Sequence, residues 1–494
     1  MADDLNLTIT LDIVSKPDVT LDVQGMQGTE RISQPFSFVV YATTAGDFDV
    51  ASLVGERAKL KMTSACGECV TSGLCFQVEE LDPTATDLRV LQFVIRPRFA
   101  VTELAFANRI FGPDQAIGVD EVVQRELAKA QISIPAEYHL DSYPKRNYIV
   151  QYDESDFVFT SRLCEHVGIF YFFKQQDDGE IIAFGDKNLA FPKVTFGSRT
   201  VIFYSHPRDR QMARRPNESA VLSFRQRLVL STKSIKLRDY NEAVPTVVTG
   251  DKEVGQGNAF LGKAERFGGH LADDGAAAML AKVRAEQVAA SHTVFVAETD
   301  APELRAGVIF ELQGHPRLDG EYLVIGATHS AYRPAPLGFN ALPRTGSAYR
   351  NKIECIRADV PYRPPLLTPV PAGIGLHTAR VDGEAWNGRA EIDSEGRYKL
   401  QLTFADEAAA KGRGSDFVRK VEPYVGPGQT GLHFPLVAGT EVLVAYLNGD
   451  IDRPVVLGAV SNPDMRHVVT SLAHLFNRIK SQSGALLEMY DGPV

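Results

Sequence analysis

Apolar and polar positions alternate from the start of the chain. Leu5, Leu7, Ile9, Leu11 and Ile13 are set against Asn6, Thr8, Thr10 and Asp12, the period of a strand with one buried face. Runs of strand type follow at Phe36–Ala42 and Val90–Pro97 with polar or glycine-bearing turns between them, so residues 1–100 read as mostly β. The period then changes. Val123, Leu127 and Ala130 follow Asp120 and Glu121 at helical spacing, with the acids placed to complement a helix dipole. In DESDFVFTSRLCEHVGIFYFF, Ser155 is an N-cap, Phe159, Leu163 and Val167 form an apolar stripe, and Gly168 supplies a left-handed end. Ile169–Phe173 then reads as a buried strand.

From about 180 to 355 short strands and Gly or Pro turns return, interrupted by an alanine-rich helix following Asp273 and Asp274. Pro361, Pro364, Pro365, Pro369 and Pro371 then forbid a helix or a central strand, which predicts an extended linker and the clearest domain boundary. Beyond it, Tyr398, Leu400, Leu402 and Phe404 alternate with Arg397, Lys399, Gln401 and Thr403 as a one-sided strand. TEVLVAYLNGDIDRPVVLGAV is two apolar runs joined by a turn beginning Asn448-Gly449, a hairpin signal. Residues 373–463 therefore form a small all-β module.

At 494 residues the chain is long enough for about three domains. With 44% apolar and 23% charged residues it belongs to the folded class. Net charge is −10, and the basic footprint of a nucleic-acid binder is missing. The densest basic stretch, with Arg208, Arg210, Arg214 and Arg215, reads as a solvated loop or an acidic-partner contact. The start MADDLNLTITL has acids where a secretory signal is basic, and no apolar run reaches membrane-span length. The expectation is a chain made and kept soluble in the cytosol, with any export bypassing the signal-peptide route. Five cysteines argue against a disulfide framework.

Three segments carry a family resemblance. FPLVAGTEVLVAYLNGDIDRPVVLGAVSNP, over Val437–Asn462, resembles the signature of the oligonucleotide/oligosaccharide-binding (OB) domain of type VI secretion VgrG spikes and phage tail spikes. Ile451 departs from the proline usual there. QYDESDFVFTSRLCEHVGIFYFF, Gln151–Phe173, is similar to a hub-domain element of the same family, and LRDYN, Leu237–Asn241, to another. The resemblance implies a mainly β (α+β) fold: a first hub β-barrel over 1–100, a helical insertion over 101–180, a second hub barrel over 181–358, and a Pro-rich linker over 359–372. An OB barrel over 373–465 follows, then a connector and the start of a triple-stranded β-prism over 466–494, in a homotrimer. About 34 residues follow Val460, and set against the family's long needle this stub reads as a truncated form. The implied partners are a hexameric tube protein (Hcp-like), a PAAR-like tip, effectors and baseplate proteins, with no nucleic acid and no stable membrane insertion. The implied function is a structural spike that caps the tube, punctures an envelope and carries effectors. The alternatives are a phage or phage-derived tail hub-spike, or a spike whose enzymatic C-terminal effector lies outside this chain.

Candidate chemistry is sparse, and the expectation is no catalytic, cofactor-binding or metal site. Cys66, Cys69 and Cys75 form C-x2-C-x5-C, one ligand short of a structural zinc site, and read as small thiols on a hairpin. GPGQTG, Gly426–Gly431, fits G-x-G-x-x-G but precedes LHFPLVAG rather than a helix, so a glycine-rich β loop is the reading. Asp450 and Asp452 lack the later glycine and glutamate of a calcium loop and are read as holding a turn beside Arg453. Asp153, Glu154 and Asp156 lie at a helix start, where acids are favoured anyway. His166 reads as a C-terminal helix cation. G-x-S-x-G, H-E-x-x-H and P-loop motifs do not occur in the sequence.

Overall fold

The amino-terminal alternation becomes strand β1 (Thr8–Ile13), with Ile9, Leu11 and Ile13 turned inward. The computed structural model describes residues 8–64, 67–82, 88–113, 115–176, 179–196, 199–206, 219–332, 349–383, 390–405 and 412–492. After β1 come β2 (Asp22–Arg31), β3 (Gln34–Thr44), β4 (Arg57–Ser64), β5 (Gly67–Leu81) and β6 (Arg89–Arg96). These six lie in the order β1-β4-β5-β6-β3-β2, with antiparallel neighbours throughout. Their inner faces bury Leu11, Met26, Phe36, Phe38, Leu60 and Phe93 in one core. The long β5 pairs with β4 over Gly67–Leu74 and with β6 over Leu74–Leu81, so each half has a ladder on one side only.

The next stretch holds β7 (Phe106–Phe111), α1 (Val119–Lys129), β8 (Ala136–His139), β9 (Ile149–Ser155), α2 (Asp156–Val167), β10 (Phe170–Gln176) and β11 (Gly179–Gly185). The Ser155 side chain accepts the Val158 N–H at 3.2 Å, capping α2. Gly168 ends the helix at φ 82°, where any Cβ would also lie 2.6 Å from Val283. The helix C-terminus is served by Arg284, which donates to the Glu165 carbonyl at 3.3 Å and the His166 carbonyl at 2.8 Å. β11 lies between antiparallel β10 and parallel β8.

A second six-stranded set follows: β12 (Val201–Tyr204), β13 (Ala220–Leu228), β17 (Thr293–Thr299), β18 (Ile309–Gln313), β19 (Gly320–Tyr332) and β20 (Arg350–Arg357). Between β13 and β17 the chain forms β14 (Ser234–Asn241), β15 (Thr246–Glu253), β16 (Lys263–Phe267) and α3 (Asp274–His292). The order β19-β18-β12-β13-β17-β20 closes on itself because β20 also pairs with β19. Phe224, Phe295, Phe310, Tyr322 and Ile353 fill this barrel. β19 is long enough to serve both sets: its first residues pair with β18, and Gly326–Tyr332 pair with β2. The two sets are thereby one twelve-stranded sheet, a doubling with no alignable repeat in the sequence.

α3 begins at Asp273, whose side chain accepts the Ala276 N–H at 2.7 Å. Its Ala277, Leu280 and Ala281 pack on Ile235, Leu237 and Val248 of β14 and β15. Gly250 permits the approach, since a Cβ there would lie 2.3 Å from the Ala277 carbonyl carbon. Gly250→Ala is expected to destabilise the chain by about 1–3 kcal/mol, because helix and strand must separate. Thermal melts followed by circular dichroism check this; an unchanged midpoint would mean that α3 can slide.

The Pro-rich segment holds neither helix nor strand, and side chains satisfy its backbone where prolines cannot form a ladder. Asn188 donates to the carbonyls of Ala358 (2.9 Å) and Val360 (2.7 Å) and accepts the Tyr362 N–H (2.9 Å). Gln287 donates to the Pro364 carbonyl (2.7 Å), and Glu165 accepts the N–H groups of Leu367 and Thr368 at 2.9 and 2.8 Å.

The remaining strands are β21 (His377–Val381), β22 (Leu400–Leu402), β23 (Val425–Gly426), β24 (Thr430–Gly431), β25 (Glu441–Tyr446), β26 (Pro454–Ala459), β27 (Phe476–Lys480) and β28 (Leu486–Tyr490). β22-β21-β25-β26 form one sheet around Val381, Tyr398, Leu400, Val442, Val444 and Val456. The turn at Asn448-Gly449 is wider than a two-residue hairpin: β25 ends at Tyr446 and β26 begins at Pro454, with Asn448 left-handed at φ 57°.

Contacts divide the chain into two units. Unit 1 comprises Met1–Ala105, Val119–Pro144 and Ser155–Pro369; unit 2 comprises Phe106–Gly118, Lys145–Glu154 and Val370–Val494. Both six-stranded sets and all three α-helices of the described residues belong to unit 1, as does the clamped Pro-rich segment up to Pro369. β7 and nearly all of β9 join unit 2. The fold is mainly β with a minor helical part.

Candidate functional site

An acid of the signature segment ties two stretches of unit 2 together. In NGDIDRP, Asp452 is almost fully buried and receives Arg146 at 2.6 Å on one oxygen and the Val150 N–H at 2.7 Å on the other. Asp450 accepts the Asp452 N–H at 3.1 Å and lies 3.8 Å from Arg453. The acids thus organise the turn, while the buried one also anchors residues 145–150, some 300 positions earlier. Tyr148 and Val150 are part of the same core as Val442 and Val444, and Tyr152 packs edge-on against Phe404 at 4.8 Å.

Beyond that core, β27 and β28 form an isolated antiparallel ribbon with Phe476 opposite Tyr490 and Ile479 opposite Leu487. Ile479, Leu486, Leu487, Met489 and Tyr490 are each about half exposed. A lone two-stranded ribbon is marginal in water, and this one carries apolar side chains on both faces.

In unit 1 the seam between the two six-stranded sets is polar. Glu30 of β2 is buried and meets Arg305 of the β17–β18 loop, whose Nε donates to it at 2.9 Å. The Ala306 N–H adds 3.2 Å, and His329 Nε2 of β19 lies 3.8 Å away. Arg305 also donates to the Val70 carbonyl of β5 at 2.8 Å. His329 is in turn bonded to the Tyr349 hydroxyl at 2.6 Å, and Asn351 donates to the carbonyls of Ala301 and Leu304. Burial by itself would raise the Glu30 carboxyl; the Arg305 guanidinium and His329 outweigh it and hold the group well below the usual carboxylate range. No motif announced this cluster. Its members are single residues on separate strands, and only an acid in the apolar alternation of β2 hinted at it.

The other sequence candidates are not brought together. Cys66 and the arginines at 208, 210, 214 and 215 lie outside the described residues. Cys69 and Cys75 are six residues apart on extended β5, about 20 Å at strand rise, too far to share an ion. Burial raises the Cys69 thiol and pushes Cys75 up to about 12, so both stay protonated. GPGQTG forms the tight β23–β24 ribbon and opens no helix. Asp156 lies in the first turn of α2, Glu154 just before its N-cap, and Asp153 donates its N–H to Asn108 at 2.8 Å. Leu237 and Asp239 of LRDYN are buried, Asp239 accepting the Leu271 N–H at 3.2 Å.

Comparison with known proteins follows the same lines. Residues 29–335 match the phage tail baseplate hub (GPD) family, and residues 390–460 match the type VI secretion system/phage-baseplate injector OB domain. The chain is 29% identical over 458 residues to the type VI secretion system spike protein VgrG4b of Pseudomonas aeruginosa, covering 89% of this chain and 54% of that protein. To VgrG5 of the same organism it is 29% identical over 461 residues, covering 90% and 56%. It thus spans little more than half the length of these relatives. Among solved structures, the E. coli c3393 protein, a component of the type VI secretion system, aligns at TM-score 0.63 and 21% identity, covering 92% of this chain and all of that one. A chain of the Francisella PdpA–VgrG complex aligns at TM-score 0.62 and 8% identity, covering 98% of this chain and 83% of that one. Residues 29–335 are more than half of the chain, so the chain belongs to the phage tail baseplate hub (GPD) family.

Proposed function

We propose that this chain is a structural spike or hub subunit of a type VI secretion (contractile injection) machine, working by assembly and not by chemistry. The observation that carries the reading is the doubled six-stranded set of unit 1. Two six-stranded sets per chain become six around a threefold axis, a match for a hexameric tube ring. The β27–β28 ribbon agrees: its exposed apolar faces are buried when three copies wind together as the start of a β-prism. In this reading the subunit caps an Hcp-like tube, bears a PAAR-like tip and effectors, meets baseplate proteins, and leaves the cell with the machine. Among the described residues no helix is long and apolar enough to cross a membrane. The buried chemistry of unit 1 is engaged in holding strands, which supports the non-enzymatic assignment.

Light scattering across a tenfold concentration range is the test. A mass of three times 54.1 kDa is expected, and Leu487→Glu with Met489→Glu in the ribbon should weaken the trimer. A monomer at all concentrations, for this chain and for one extended past Val494, would end the reading. A phage-derived tail hub is the second reading, supported by the family to which unit 1 belongs; neighbouring genes for capsid instead of a sheath-disassembling ATPase would decide for it.

A further inference from the structure

A groove of about 780 Å³ in unit 1 runs along β10, with Phe172, Phe173, Lys174, Gln175 and Gln176 in succession on its wall. Five consecutive residues on one wall mean that the groove follows the edge of the strand, because alternate side chains point to opposite faces. β10 is the outer strand of its sheet, paired with β11 alone. Which of its backbone groups face outward can be worked out from two independent bonds. Tyr171 exchanges hydrogen bonds with Ser33, donating to the hydroxyl at 3.3 Å and accepting the Ser33 N–H at 2.8 Å, so its main chain points away from β11. Ile182, opposite Phe173, donates its N–H to the Pro135 carbonyl on the far side of β11. In an antiparallel ladder the orientation repeats every two residues. Phe173 and Gln175 therefore turn their N–H and C=O outward as Tyr171 does, and neither main chain meets a backbone partner there among the described residues.

The opposite wall is also a strand edge. The amino-terminal half of β5 has no ladder on the side away from β4. There Arg305 takes the Val70 carbonyl and the Gln175 side chain takes the Ser72 N–H at 2.8 Å. The other end of that amide, Gln175 Nε2, is buried with no hydrogen-bond partner. An unpaired edge is normally blocked or covered; this one is left open beside a cavity.

We propose that β10 is a strand-accepting edge: an extended, acidic polypeptide segment of a partner protein lies in this groove and pairs through its main chain with Phe173 and Gln175. Main-chain bonds supply the docking, as in other strand additions, and charge selects the sequence. The groove walls carry Lys59, Lys61 and Lys174 against Asp12 and Glu68, the charge of Arg305 being matched by buried Glu30. Lys61 and Lys174 are held at the rim by Glu68 and Glu137, each at 2.7 Å, where an incoming carboxylate can share them. The five wall residues span about 17 Å, the length of a short strand. The site is independent of the proposed place in a secretion machine.

The probe is a fluorescent heptapeptide of alternating valine and glutamate, titrated into the intact chain and read by anisotropy. Saturable binding is expected, at least tenfold weaker for the same peptide with alternate amides N-methylated and for its lysine counterpart. Gln175→Pro removes an outward N–H that no strand among the described residues uses and is expected to abolish binding, while Gln175→Ala binds within about threefold of the parent. Hydrogen exchange of the parent chain keeps the test open if the proline variant misfolds: the Phe173 and Gln175 amides should exchange faster than those of Phe172 and Lys174 and slow when peptide is added. No saturation at millimolar peptide, equal binding by a folded Gln175→Pro chain, or a change in the chain's own oligomeric mass in that variant would each overturn the proposal, the last by giving the edge to a second copy.

Discussion

Arg305→Ala is expected to destabilise unit 1 by about 3–5 kcal/mol, the usual cost of leaving one member of a buried ion pair alone. The side chain is 13% exposed and Glu30 6%, so water cannot take the place of the lost guanidinium, and the Val70 carbonyl loses its donor as well. The pH dependence distinguishes this from simple loss of packing. In the parent chain Glu30 is depressed, so its contribution is fully present above the ordinary carboxylate range and is lost only as pH falls through the depressed value. Without Arg305 the largest remaining influence is burial, which raises the carboxyl. Its contribution is then present at low pH and lost as pH rises. Guanidinium titrations at pH 5 and pH 7.5 should therefore show a gap between variant and parent that is smaller at pH 5. A pH-independent gap, or one below about 1 kcal/mol, would mean that the seam is wet or replaceable.

Asp452→Ala is the second large effect, at about 2–3 kcal/mol, the range for hydrogen bonds to a charged group. It strands Arg146, 19% exposed, and leaves the Val150 N–H without its acceptor. The loss falls on the tie between residues 145–150 and the signature turn, so trypsin should cut after Lys145 or Arg146 far sooner than in the parent chain. Asp452→Asn keeps an acceptor for Val150 and should recover about half of the loss. Unchanged proteolysis in the alanine variant would show that the apolar contacts of Tyr148 and Val150 hold the segment unaided. A fragment ending at Pro369 would expose those same side chains, since their core partners Val442 and Val444 lie beyond it.

The sequence by itself determined the local elements and the family. Alternation placed β1, β3 and β6, and the Ser155 cap and Gly168 end bounded α2, because strand period, capping and left-handed backbone are decided by residues a few positions apart. The signature at Val437–Asn462 and the hub element at Gln151–Phe173 gave the hub and OB architecture, since a turn such as NGDIDRP fixes its residues by its own geometry. Only the tertiary structure decided the partners. Alternation says which face of a strand is buried and nothing about which strand lies beside it, so the pairing of β2 with β19 and the closure of the second barrel through β20 could not be read from either strand. The Glu30–Arg305 pair spans 275 residues and the Asp452–Arg146 pair 306. At that range an acid and a base leave no spacing rule behind, and what unites them is burial, a property of the folded chain.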